Sequence, residues 1–174
     1  MDKHYDALVA EALRNALPGT RLGWTGTAGF TLQFFVVASH DLVNISGWAH
    51  CAQVQAVVGR RKLWLATLIN STFPGLAVAF AIYFWNQPRP WFVVDYWVLY
   101  CGVSLVFAVA MWYVPYFFGT TVERKLDYAR MYEGTRQVLP ARGDNPRPNL
   151  LHVCLHVLFV INFLLVLVLR LRRV

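Results

Sequence analysis

The sequence predicts an all-α integral membrane protein: a four-helix bundle with an N-terminal amphipathic helix and a surface helix in its third loop. Three observations predict it. Hydrophobic residues make up 57% of the 174 positions and charged residues only 14%, where a soluble domain holds roughly 25% charged residues. The apolar residues fall in four blocks, each close to the ~20 residues that cross a hydrocarbon core of about 30 Å. Tryptophans and tyrosines gather near the block ends, as they do at membrane interfaces.

Residues 2–17 come first. Tyr5, Leu8, Val9, Ala12, Leu13, Ala16 and Leu17 recur at helical spacing, and Pro18-Gly19 stops the segment. Asp2, Asp6 and Glu11 lie in it and no apolar run does, which is unlike a cleavable signal peptide. An amphipathic helix lying on the membrane or against a partner fits this pattern.

The spans follow at about 25–48, 63–85, 96–118 and 150–169, in a single domain covering residues 1–174. The first helix is expected to run on to Val58, where Gly59-Arg60-Arg61-Lys62 ends it. Asn86-Gln-Pro-Arg-Pro90 makes a rigid turn after span two. In the 119–149 loop, a threonine start and the Gly134 stop bracket a surface helix, and the proline-set strap from Pro140 leads into span four. Four spans put seven basic residues on one side and nine on the other, which leans towards loops one and three facing inward.

The net charge is +7. Because the basic residues sit at span ends and in loops, they predict contact with anionic lipid headgroups rather than nucleic acid. Cys51, Cys101 and Cys154 are far apart in or beside apolar spans; they read as free thiols rather than a disulfide framework.

Polar residues inside spans carry most of the functional information. Projected on a continuous helix, His40, Asn44, Gly47 and Cys51 share a face with Gly26, Gly29 and Gln33, while Asp41 and His50 point elsewhere. Span two has a comparable stripe in Thr67, Asn70, Ser71, Pro74 and Gly75. Span four adds Asn149, His152 and His156, with Asn162 off to one side. Small and hydrogen-bonding residues at this spacing let membrane helices approach closely and pair their polar groups away from lipid. Asp41, Asn44, Gly47, Asn70, Ser71 and Asn162 are therefore packing or ion-pair candidates.

No phosphate loop, nucleophile elbow or pair of catalytic carboxylates is present. No catalytic residue and no metal site is assigned. The expected function is a non-catalytic accessory subunit of a larger membrane complex, of the respiratory-chain or ATP-synthase type, in the inner mitochondrial or bacterial cytoplasmic membrane. Its partners would be other membrane subunits and anionic lipids, with bound phospholipid. One alternative is a small redox protein holding haem b or a quinone through His40, His50, His152 and His156, because antiparallel spans one and four bring these histidines to one half of the bundle. Another is a lipid-modifying enzyme or carrier, with His40 and Asp41 as an acid–base pair beside a cavity open to the bilayer. The subunit reading expects a filled interior instead.

Overall fold

The protein is described from a computed structural model, which covers residues 19–40, 42–45, 47–85 and 90–171, with side chains in the first helix from Thr27 onward. The expected N-terminal amphipathic helix, Asp41 and the 86–89 turn lie outside the described residues.

Long apolar runs form the long helices. They are α1 (Gly19–Ser39), α3 (Arg60–Tyr83), α4 (Trp91–Ala108) and α7 (Leu150–Leu171). A π-turn (Val109–Tyr113) joins α4 to α5 (Val114–Phe118), so that Trp91–Phe118 is one continuous rod of 28 residues. Three helices, Arg60–Tyr83, Trp91–Phe118 and Leu150–Leu171, are long and apolar enough to cross a membrane. Among the described residues no strand forms; the only bridges are Ile45 with Ala49 and Gln137 with Asn149. The chain is thus helical and membrane-type, as its composition requires.

The first helix does not continue to Val58. It ends at Ser39, a non-helical loop follows, and a separate short helix, α2, spans Cys51–Val58. The polar residues once placed on a helix face are the ones that end it. The Ser39 hydroxyl donates back to the Phe35 carbonyl at 2.6 Å, competing with the helical ladder, and His40 Nδ1 donates to the Val37 carbonyl, which the last turn leaves open, at 2.8 Å. Asn44 Oδ1 then accepts from the Cys51 amide at 2.7 Å, Gly47 supplies a φ of +69°, and Gly59 turns the chain from α2 into α3. His40, Asn44, Gly47 and Cys51 consequently share no helical face.

Third-loop residues hold this break open. The Arg136 amide donates to the Gly47 carbonyl at 2.7 Å, and Asn149 Nδ2 to the Trp48 carbonyl at 3.1 Å. The surface helix α6 (Val122–Met131) begins where expected, with Thr121 Oγ1 accepting from the Arg124 amide, and Gly134 turns at φ +72° soon after its end. Lys125 reaches Asp144 of the strap at 2.8 Å; that hydrogen bond holds the exposed Asp144 carboxyl below the usual carboxylate range.

Around the bundle the order is α3, α1, α7, α4. The α1–α3 contact sets a small residue of α3 against an aromatic ring of α1: a methyl group at Gly75 would already touch the Phe34 ring at 3.4 Å. Thr67 and Pro74 are buried in the same seam. Between α1, α7 and α4 the polar residues pair: Asn162 Nδ2 donates to Gln33 Oε1, and Gln33 Nε2 to the Tyr100 hydroxyl. Gln33 and Asn162 are 0% and 1% exposed, so Asn162 is buried against α1. At the far end Arg170 pairs with Asp95 at 2.5 Å. The circle closes weakly, because α3 and α4 meet over a short stretch, where Tyr96 donates to the Phe73 carbonyl at 2.7 Å and Trp97 to that of Ala77 at 3.3 Å.

Candidate functional site: a histidine-ended cavity

Pro115 is where the site begins. Lacking an N–H, it gives the Met111 carbonyl, four residues back, no helical donor. The chain responds with the π-turn, in which the Val114 amide reaches back five residues to the Val109 carbonyl. Such turns insert one extra residue per helical circuit and often mark functional sites. Here the wider turn sets Trp112 and Tyr113 both against α7. Meanwhile Arg124 Nη2 and the Tyr128 hydroxyl, both from α6, donate to the Met111 carbonyl at 3.1 Å each. Tyr128 and Tyr132 then pack at steep angles against Trp112, with ring centres 5.0 and 5.2 Å away.

Three imidazoles collect beside this turn. His152 lies 4.1 Å from Trp112, 5.5 Å from His40 and 6.2 Å from His156, between ring centres. His156 Nδ1 is 3.2 Å from the Tyr113 hydroxyl. Asn149 fixes the tautomer of His152. The Asn149 Nδ2 group donates to Trp48, so its Oδ1 is the acceptor for the His152 amide at 3.0 Å and for His152 Nδ1 at 2.7 Å. The Nδ1 of His152 therefore carries the proton, and its Nε2 offers a lone pair. The same reasoning makes His40 Nδ1 a donor, because a carbonyl can only accept.

The three histidines and Trp112 form one end of a cavity of about 590 Å³. Its walls are mostly apolar and aromatic: Val37, Ile69, Phe73, Leu99, Val103, Phe107, Met111, Leu155 and Phe159, with Asn70 and Ser104 between them and Tyr96 and Tyr100 towards the other end. From Tyr96 to Trp112 is sixteen residues of one rod, about 24 Å at 1.5 Å per residue. The cavity lies in the gap between α3 and α4. Its lips are exposed; Ile69, Phe73, Leu99, Val103 and Phe107 each show 44–66% of their surface. In a membrane that gap opens sideways into the acyl chains.

The histidines expected near one another divide. His40, His152 and His156 converge, whereas His50 lies against Gly134, its Nε2 buried without a hydrogen-bond partner among the described residues. Asn70 lines the cavity from α3, Ser71 is half-buried beside it with its hydroxyl unpartnered among the described residues, and Asn44 and Gly47 serve the loop. Among the described residues no three His, Cys, Asp or Glu side chains form a metal-binding group, and all three cysteines are free. Two contributors escape a reading by periodicity. Trp112, one of the tryptophans near a block end, is 7% exposed against His152. The role of Pro115 is visible in sequence only as a proline late in an apolar run. No family model matches this chain, and no curated protein or solved structure shows detectable similarity to it.

Proposed function

We propose that the chain is a four-helix membrane bundle that binds one amphiphilic molecule of the lipid or quinone class. The molecule's chain lies between α3 and α4, and its head sits at His40, His152 and His156. The observation that carries this reading is the cavity: mostly apolar along its length, open at exposed lips, and closed at one end by three imidazoles. Ligand sites are typically concave, mostly apolar spaces of about 300–1,000 Å³ with a few placed polar groups. A haem between His40 and His152 is less well supported. Those rings meet edge to face 5.5 Å apart with Trp112 against His152, and a porphyrin needs its two axial imidazoles on opposite faces of an open plane.

A structural subunit of an energy-converting assembly in the inner mitochondrial or bacterial cytoplasmic membrane would be expected to fill its interior, so the open cavity favours binding over that reading. Native mass spectrometry of the full chain, released from membrane-derived nanodiscs, tests the proposal. The wild-type chain should retain an apolar adduct that Val103→Trp, which fills the gap from its lip, does not. An adduct of equal occupancy in both would place the molecule elsewhere and end the proposal.

A further inference from the structure

The head end of the cavity has a definite hydrogen-bonding character, and this narrows the ligand. Resting on the amphiphile-binding reading above, we propose that the head group is a neutral hydroxyl, as on a long-chain alcohol or a hydroquinone, rather than a carboxylate, an ammonium or a phosphate.

The first support is charge. Among the described residues lining the cavity none is charged, and a charged head there would lose its hydration with no opposite charge to replace it. The second is the tautomer of His152. Its Nδ1–H is committed to Asn149 Oδ1, and its Nε2 meets no protein partner among the described residues, so the ring offers an acceptor. An acceptor selects a head that can donate, and a hydroxyl donates where an ether, ester or quinone carbonyl cannot. The third is His156. When the Tyr113 hydroxyl donates to its Nδ1, the proton of that imidazole sits on Nε2, a donor for the oxygen of the same hydroxyl. One hydroxyl thus serves both rings, donating to the His152 lone pair and accepting from His156.

The test uses the full chain in nanodiscs and three fluorescent probes with one conjugated tetraene chain: the primary alcohol, its methyl ether and its carboxylate. The rise in anisotropy of the probe's own emission reports binding, and Val103→Trp gives the background from probe dissolved in lipid. The alcohol should bind about tenfold more tightly than the ether, and the carboxylate more weakly still. In His152→Phe the preference for alcohol over ether should collapse to less than about threefold, with the ether's own affinity retained. The ratio of alcohol to ether binding in the wild type does not depend on His152→Phe folding. If the alcohol and the ether bind alike in the wild type while Val103→Trp blocks both, the cavity reading stands and the hydroxyl inference is overturned. Tightest binding by the carboxylate overturns it as well. If none of the probes exceeds the Val103→Trp background, the cavity reading falls and takes this inference with it.

Discussion

Gly29 and Asn162 show how little room the bundle centre leaves. A Cβ on Gly29 would lie 2.2 Å from Asn162 Oδ1, inside any tolerable contact, and Asn162 cannot swing away without releasing Gln33. Gly29→Ala should therefore cost about 1–3 kcal/mol, whereas Gly75→Ala, where the nearest atom is a phenylalanine ring carbon at 3.4 Å, should be close to neutral. Thermal unfolding in one detergent compares the two; equal losses would show that the α1–α7 contact is not the tight one. Asn149 supports more partners than any neighbour, capping α7, holding the Trp48 carbonyl and fixing His152. Asn149→Ala should cost about 2–3 kcal/mol, from a lost cap plus buried groups left unpaired, and a midpoint unchanged from wild type would contradict that role. At this scale the sequence was partly legible. Gln33 and Gly29 could be placed on one face because α1 is regular there, but the partner of Gln33 could not, since nothing in a periodicity ties residue 33 to residue 162.

Helices in this chain are ended and bent by hydrogen bonds from distant segments. The stretch from Ser39 to His50 carries local stop signals in Ser39, His40, Asn44 and Gly47, but a helical projection of the same residues reads them as one polar face. The Trp48 carbonyl is held by a side chain 101 residues away, so the cost of opening the helix is met by a loop the local pattern cannot see. The surface helix α6 was legible because its signals are local: a threonine cap and a stopping glycine. The π-turn lies between these cases. Pro115 announces a missing donor, while the use of the freed Met111 carbonyl by Arg124 and Tyr128 depends on the fold. In Pro115→Ala the new amide competes for that carbonyl, so α6 should loosen and amide hydrogen exchange over residues 122–131 should speed up. Unchanged exchange there would mean that Trp112 packing alone anchors α6.

As a whole, the molecule is a ring of helices closed firmly on three sides and loosely on the fourth. Composition and block length made its membrane character plain, because lipid admits few other solutions for such a chain. The cavity was not legible, since it depends on which pair of neighbouring helices fails to meet along its length. On the proposed reading it makes a site of scattered polar residues: His40, His152 and His156 would be packing residues in a filled bundle and would serve as a head-group pocket beside an open one. Photolabelling with a diazirine-tagged long-chain amphiphile tests that claim most directly. Our account predicts saturable labelling concentrated on Phe73, Val103, Phe107 and Met111, removed by excess untagged amphiphile and by Val103→Trp. Non-saturable labelling spread evenly over lipid-facing residues such as Val157, Ile161 and Leu164 would contradict it.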